Sequence, residues 1–385
     1  MLSFFVRHYE LAFLIKLLFN ENGLHLYIFM LKCKPYGRHK MEFGKRIELA
    51  RKANGLSMRS LAEKIGLSAM AISKYERGLI RPSSGVLIQL AEALNVNVEF
   101  FFRPAPESVS LVLYRKHASL GKTQLNSINS RIQEWLERYL EIESFLNLNS
   151  NINSNNIWQH YPVSSIDEIE NIADQVRKDW NLGLDPIDNL IEVMESKGFK
   201  IELLECEDGF DACTFRSNGV PVIVVRKGIP GDRQRFNIAH ELGHILLNVN
   251  QDIEEKAANR FAGAFLFPRS MVLMEFGSHR TNLSLREIEL LKHKYGISMQ
   301  AILHRVRDLN IIHENYYRDL CKYFSQMDYR KQEPGEPLAS EQPIRMQQLL
   351  LRLLAENTIT QSKAEELNGE PIKEWGTIKQ IEYQS

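Results

Sequence analysis

The sequence has few of the features that mark secreted or membrane-spanning proteins. Only four cysteines occur among 385 residues, and none forms a C-x-x-C pair. This usage favours a reduced, cytoplasmic compartment over a disulfide framework. The longest apolar candidate, residues 11–19, is interrupted by Lys16 and falls short of the roughly 18 residues of a membrane span. Residues 25–40 offer no small-residue cleavage site, so neither a membrane helix nor a signal peptide is expected.

The chain also lacks an overall charge bias and an internal repeat. Lys+Arg and Asp+Glu are both 48, so the net charge identifies no partner. Between Met41 and Arg103, however, ten Lys or Arg stand against six Glu and no Asp. This local excess of four is compatible with contacts to phosphates. With 44% hydrophobic and 25% charged residues, the composition is that of a globular protein of two or three domains.

Periodicity and turn signals divide the chain into five segments. They are an uncertain N-terminal extension (1–40), a helical domain (41–103), a helical connector with an asparagine-rich linker (104–162), a mixed domain (163–320) and a C-terminal loop with a helical tail (321–385). The predicted fold class is mainly α with a small sheet (α+β). We expect Met41 to be the natural start, with residues 1–40 an upstream read-through. The alternative is an extra N-terminal helix, and the intact mass of the native protein would decide.

The domain at 41–103 reads as short helices joined by tight turns. Ser57, Ser68 and Ser84 are predicted to cap its second, third and fourth helices. Ala62 can lie at a helix crossing and Gly66 in the turn that follows it, so that two helices pack across a tight turn. Over about sixty residues this sequence resembles the Cro/C1-type (XRE) helix-turn-helix family. The ending Ile72-Ser73-x-x-Glu76-x-Gly78, followed by Arg81-Pro82-Ser83, carries most of that resemblance.

The resemblance implies that the third helix enters the major groove of double-stranded DNA. The candidate contact residues are Ala69, Met70, Ser73, Lys74 and Arg77. Ala69 and Met70 offer apolar contact alone, whereas Lys74 and Arg77 could read guanine or neutralise phosphates, and we favour the phosphates. Met58 stands where many relatives have a phosphate-binding Gln, a contact that a thioether cannot make. The alternative is a helical bundle that binds no nucleic acid.

A metal-binding pattern stands in the mixed domain. His240-Glu241-Leu-Gly-His244 is an H-E-x-x-H string on a helical, apolar-faced segment. Residues four apart share a helix face, so both imidazoles can reach one Zn²⁺, and Glu241 can take a proton from a water molecule there. A carboxylate of the next helix, Glu255 or its rival Glu254, can supply the third ligand.

Other side chains near this pattern are expected to orient a ligand or to take no part in metal binding. Asn259 stands four residues after Glu255 and could orient a ligand histidine by accepting its ring N–H. Arg226, Lys227 and Asp232 are expected to be solvated charges of a strand-to-helix turn. Cys206 and Cys213 are expected to be buried thiols rather than ligands.

The same region resembles the ImmA/IrrE family of metallo-endopeptidases. The matching pieces are residues 235–244, 255–262, 265–268 and 295–300, taken in that order. The resemblance implies a reduced, gluzincin-like zinc metallopeptidase fold, with Glu241 as general base and His240, His244 and Glu255 as zinc ligands. It also implies cleavage of a helix-turn-helix repressor, since known family members switch genes in this way.

Together the patterns predict a DNA-binding transcriptional regulator with a zinc-dependent endopeptidase domain. Its predicted partners are double-stranded DNA, bound as a homodimer, and a protein substrate, which is a repressor-type protein or the chain itself. The alternative is a non-enzymatic transcription regulator or antitoxin-like repressor, whose second domain senses a ligand or partner.

Overall fold

The structure is a computed structural model that describes residues 36–103, 121–148, 160–206, 209–217, 219–369 and 371–372. The chain divides into two compact units, Met1–Ala105 and Pro106–Ser385. The first described helix begins at Tyr36, five residues before Met41. The rest of the predicted N-terminal extension, residues 1–35, lies outside the described residues, as does most of the asparagine-rich linker.

The described residues of the first unit form four helices and one 3-10 turn. They are α1 (Tyr36–Ala53), α2 (Met58–Lys64), α3 (Ala69–Glu76) and α4 (Ser84–Leu94), followed by the 3-10 turn Val98–Phe102. Their apolar faces share one core, in which Ile47, Leu61, Ile72, Leu90 and Phe101 are fully buried. The helical spacing of these side chains therefore accounts for the bundle.

Serine side chains begin three of these helices. Ser57 and Ser68 accept hydrogen bonds from the N–H of the third residue of α2 and α3, at 3.0 and 3.2 Å. For α4 the cap is Ser83, at 3.4 Å, and the prediction of Ser84 was wrong by one residue. Ser83 has the extended backbone that a cap requires, whereas Ser84 is already the first residue of the helix.

A buried ion pair fastens α3 to α1. Arg51 donates from Nε to Glu76 Oε1 at 2.6 Å and from Nη2 to Oε2 at 3.0 Å. The backbones also approach closely, since a Cβ at Gly44 would lie 2.2 Å from the Glu76 carbonyl oxygen. A two-pronged Arg–carboxylate pair fixes orientation as well as distance. Glu76 thus holds the end of α3 in place.

The second unit is built on a three-stranded sheet. Its strands are β2 (Lys200–Leu204), β3 (Ala212–Ser217) and β4 (Val220–Arg226), in the order β2-β4-β3. Strand β2 runs parallel to β4 and β3 runs antiparallel to it. A separate parallel pair joins β1 (Tyr161–Pro162) to β5 (Leu247–Asn248).

Helices cover both faces of this sheet. On one face lie α6 (Glu168–Asp179), α7 (Leu190–Ser196), α8 (Gly231–Leu246), α9 (Glu254–Leu266), α10 (Arg269–Phe276), α11 (Leu285–Tyr295), α12 (Met299–Asp308) and α13 (Glu314–Gln326). On the other face lie α5 (Lys122–Phe145), α14 (Arg345–Ala355) and α15 (Gln361–Asn368). Alternate strand residues face the two cores: Ile223 faces the first, and Val222 and Val224 face the second.

Helix α5, from the segment that the sequence assigns to a connector, packs in the second core. Its apolar side chains contact the sheet and the two helices of the C-terminal tail. Lys200 on β2 forms an ion pair with Glu143 on α5, and its Nζ lies 4.5 Å from the centre of the Tyr139 ring. Both charged side chains are more than nine-tenths buried. The pair therefore joins α5 to the sheet inside the core.

The predicted fold class, mainly α with a small sheet, is confirmed. The strands expected at 199–204 and 220–225 correspond to β2 and β4, while β3 was not predicted. Among the helices of the described residues, none combines the length and the apolarity that crossing a bilayer requires.

The ion pair between Lys200 and Glu143 allows a stability test. Changing Glu143 to Gln leaves the Lys200 ammonium buried without its ion-pair partner, so we expect the free energy of unfolding to fall by about 3 kcal/mol. The matched control is Glu141→Gln on the same helix, whose ion pair with Lys363 is partly exposed. That change should cost less than about 1 kcal/mol. Denaturant unfolding of the full chain measures both, and equal small losses would contradict a buried pair.

Candidate metal centre and DNA-binding surface

Helices α8 and α9 cross closely because small residues meet there. A Cβ at Gly243 of α8 would lie 3.1 Å from the Cα of Ala258 on α9 and 3.4 Å from its Cβ. Residues three and four apart share one face of a helix. The crossing therefore brings His240 and His244 of α8 opposite Glu255 of α9.

Three side chains converge beside this crossing. The Nε2 atoms of His240 and His244 are 3.0 Å apart. Glu255 places Oε2 3.6 Å from His240 Nε2, and Oε1 3.6 Å from His244 Nε2. Both histidine side chains are buried, whereas the Glu255 side chain is 51% exposed. The group has the composition and the spacing of a metal site that opens towards solvent on the Glu255 side.

The second ring nitrogen of each histidine faces an oxygen atom. His240 Nδ1 is 3.0 Å from Asn259 Oδ1, and His244 Nδ1 is 3.2 Å from Glu254 Oε1. Amide and carboxylate oxygens accept hydrogen bonds, so both contacts favour the tautomer with the proton on Nδ1, which leaves Nε2 to bind a metal. Glu254, which the sequence leaves open as a rival of Glu255, thus lies on the outer side of His244.

This donor set fits zinc. Two lone pairs and a carboxylate directed at one point repel one another unless a cation lies between them. Tetrahedral zinc bonds of 2.0–2.1 Å separate neighbouring ligand atoms by about 3.3 Å. The three separations, 3.0, 3.6 and 3.6 Å, lie on either side of that value. Two imidazoles and one carboxylate are also a known ligand set of catalytic zinc sites, in which a fourth position stays open.

Glu241 follows His240 on α8 and is 6% exposed. The negative charge of its carboxylate reaches Cys213 on β3. Burial raises the pKa of the Cys213 thiol, and the charge of Glu241 raises it further. Cys213 is buried and Cys206 half-buried, and neither belongs to the group of metal-ligating atoms. A thiol with a raised pKa stays protonated at neutral pH and is a poor zinc ligand.

The ion pairs that hold the N-terminal half of α8 were not predicted from the sequence. Asp232, expected to be a solvated loop charge, is 3% exposed and pairs with Lys292 at 3.0 Å. Arg235 forms an ion pair with Glu341 of the C-terminal tail and donates to the Ile187 carbonyl at 2.6 Å. The expectation for Asp232 was wrong because its partner is distant in sequence, where no local pattern reveals it.

In the first unit, α3 presents its N-terminal part to solvent. Ala69, Met70 and Lys74 are exposed, and Ser73 is half-buried. Arg77, directly after the helix, is exposed, and its Nε donates to the Ser73 carbonyl at 3.2 Å. The side chains proposed to contact DNA therefore lie along one accessible stretch of the unit.

Comparisons with known families match both units. Residues 47–101 match the family model described as helix-turn-helix, and residues 200–307 match a peptidase family model described as IrrE N-terminal-like domain. The two resemblances predicted from the sequence are confirmed at this level. The helix-turn-helix match implies DNA binding, and the second match relates this unit to metallopeptidases.

Similar curated proteins are named as uncharacterised HTH-type transcriptional regulators. One from Rickettsia conorii is 42% identical over 65 residues, which are 17% of this chain and 52% of the relative. One from Sinorhizobium medicae is 41% identical over 63 residues, covering 16% and 45%. One from Mycobacterium tuberculosis is 44% identical over 59 residues, covering 15% and 42%. The chain thus spans about half the length of these relatives.

The geometry of the candidate metal centre predicts an order of zinc affinities. The purified chain should bind about one equivalent of zinc, and His240→Ala or His244→Ala should abolish its retention. Glu255→Ala should weaken binding more than Glu254→Ala, because Glu255 faces the convergence point and Glu254 faces an outer nitrogen. Asn259→Ala should cost about 10–100-fold in affinity. Competition with a chromogenic chelator measures each affinity.

The control for this series is His279→Ala, which removes an exposed histidine outside the group. It should leave zinc affinity unchanged. A greater loss for Glu254→Ala than for Glu255→Ala would reverse the ligand assignment.

The exposed cations of α3 predict a salt-dependent effect on DNA binding. Lys74→Ala should weaken binding of the full chain to a mixed-sequence duplex, and should lower the slope of log affinity against log salt by about one. Fluorescence anisotropy at several salt concentrations gives both quantities. The control, Lys322→Ala, removes an exposed charge of the second unit and should change neither. Indifference of affinity to salt and to Lys74 would remove the assignment of this surface to DNA.

Proposed function

We propose that this chain is a DNA-binding transcriptional regulator whose second unit is a zinc-dependent endopeptidase. One observation carries the proposal: His240, His244 and Glu255 direct their ligand atoms to one point, with Glu241 next to the two histidines on α8. The match to an IrrE N-terminal-like domain supports it. The helix-turn-helix match and the names of the similar regulators support the first half of the proposal.

Zinc bound here would supply Lewis-acid polarisation of a water molecule and of a peptide carbonyl. The residues of the chain do the rest. Glu241 accepts the proton from the water and delivers it to the leaving amine, as a general base and then a general acid. Asn259 and Glu254 hold the two imidazoles in one tautomer and orientation through their Nδ1 atoms. Such outer contacts keep both Nε2 atoms available as ligands.

The proposed substrate is a repressor-type protein, or the chain itself. Cleavage of a DNA-bound repressor releases its operator and switches expression, which explains why a peptidase would share a chain with a DNA-binding unit. On DNA we propose a homodimer that contacts two half-sites about one helical turn, roughly 34 Å, apart.

The change Glu241→Gln tests whether the second unit acts as an endopeptidase or as a sensor. The amide keeps the size of the side chain and cannot accept the proton, so cleavage should fall by at least about 100-fold while zinc content and DNA affinity stay unchanged. The full chain is incubated alone and with each helix-turn-helix protein of its own genome. Intact mass and N-terminal sequencing of the products report cleavage.

The matched control is Glu192→Gln, the same change at an exposed position of α7, and it should retain full activity. If the Glu241→Gln variant still induces the controlled genes normally with zinc bound, the second unit is a ligand or partner sensor and the peptidase proposal fails.

A further inference from the structure

A cavity of about 580 Å³ adjoins the candidate metal centre. This volume lies in the range of pockets that bind ligands. Asn259 belongs to both sites: its side chain lines the cavity, and its Oδ1 faces His240 Nδ1. The cavity and the metal centre therefore share the Asn259 side chain.

Two helix faces form walls of this cavity. Their lining residues include Lys256, Asn259 and Arg260 on α9, and Arg233, Phe236 and Asn237 on α8. On each helix these residues recur at three- and four-residue spacing, so they share one face. His240 continues the face of α8, and Arg233 stands seven residues before it. Two helical turns, about 10 Å along the axis, therefore separate Arg233 from the metal centre.

The cavity is lined by an excess of cations. Six of its lining residues are Arg or Lys, and two are Asp. The deeper cations are neutralised inside the protein: Arg260 contacts Glu170 at 2.6 Å and Asp308 at 3.1 Å, and Arg305 contacts both oxygens of Glu170 at 2.6 and 2.9 Å. These pairs serve the structure and leave little charge for a ligand.

The two cations at the rim differ from the deeper ones. Arg233 and Lys256 are exposed, and no carboxylate of the described residues forms an ion pair with either. Arg233 donates from Nη2 to the backbone carbonyls of Arg330 and Lys331, at 2.6 and 3.1 Å. These bonds orient its guanidinium without cancelling the charge. Within the described part of the chain, the rim thus offers two positive charges that form no ion pair with a carboxylate, next to the cavity.

We propose that this cavity is a specificity subsite for an acidic side chain of the protein substrate, with Arg233 and Lys256 as its cationic partners. The proposal rests on the endopeptidase function proposed above. An extended peptide advances about 3.3 Å per residue, so a substrate residue about three positions from the scissile bond reaches Arg233. Arginine suits this task, because its planar guanidinium can hold a carboxylate through two hydrogen bonds.

Peptide binding tests this subsite without cleavage. The protein is the zinc-loaded full chain carrying Glu241→Gln. The probes are fluorescein-labelled dodecapeptides of Ala, Ser and Leu that contain one Glu-Asp pair, with twins that contain Gln-Asn. Fluorescence anisotropy should show that the acidic peptide binds about tenfold more tightly. Adding Arg233→Gln and Lys256→Gln should abolish that preference.

The matched control carries Arg318→Gln and Lys322→Gln, which remove the same charge from exposed positions of α13. It should keep the preference for the acidic peptide. Zinc content is measured in every variant because Lys256 follows Glu255, and Arg233→Gln alone serves as the test if the double variant loses zinc. Equal affinity for the two twins, or an equal loss in the control, overturns the subsite.

Two further outcomes separate the proposals. Displacement of the acidic peptide by citrate at a lower concentration than that of the unlabelled peptide assigns the cavity to a free small anion and overturns the peptide subsite. A preference for acidic peptides in a chain that cleaves no protein leaves the subsite standing and overturns the endopeptidase function. If the chain cleaves proteins but shows no preference for acidic peptides, the endopeptidase function stands and the subsite is overturned.

Discussion

Gly243 leaves no side chain between α8 and α9, and α8 there meets the backbone of Ala258, 3.1 Å from where a Cβ would stand. Every group of α9 that reaches the histidines depends on this approach. Glu255 faces both Nε2 atoms at 3.6 Å, while Glu254 and Asn259 face the two Nδ1 atoms at 3.2 and 3.0 Å. Moving α9 outward by about 1 Å would carry the contacts of Glu254 and Asn259 beyond hydrogen-bonding distance and would draw Glu255 away from both Nε2 atoms at the same time.

The other end of α8 is held by charges from distant parts of the chain. Burial lowers the pKa of Lys292, but the carboxylates of Glu333 and Asp232 outweigh it and raise that pKa above its ordinary value. Glu333 also accepts the N–H groups of Met299 and Gln300 at the start of α12. Through Lys292, Glu333 in the loop before α14 therefore connects Asp232 on α8 to the start of α12. Both helices line the cavity. A site on elements tied in this way keeps its geometry when a ligand binds.

The sequence predicted the features that depend on short spacing. His240 and His244 share a helix face because they are four residues apart, and β4 is continuously apolar because helices cover both of its faces. Strand β3 was not predicted because only two of its six residues, Thr214 and Phe215, belong to the β-branched and aromatic types that favour strands. Pairing with β4 makes them a strand. The partners of Asp232 and Arg235 were missed for the same reason, since tertiary contacts create them.

The charged side chains of both units have different roles when they are buried and when they are exposed. Two buried cations are paired with carboxylates: Arg51 with Glu76 in the first unit and Arg305 with Glu170 in the second. An unpaired charge costs several kcal/mol in the interior, so these pairs are structural and their fields largely cancel. Exposed cations such as Lys74 and Lys256 bear no such cost and keep their fields. A net charge of zero over the whole chain therefore coexists with two local groups of exposed cations, for which we propose phosphates and carboxylates as partners.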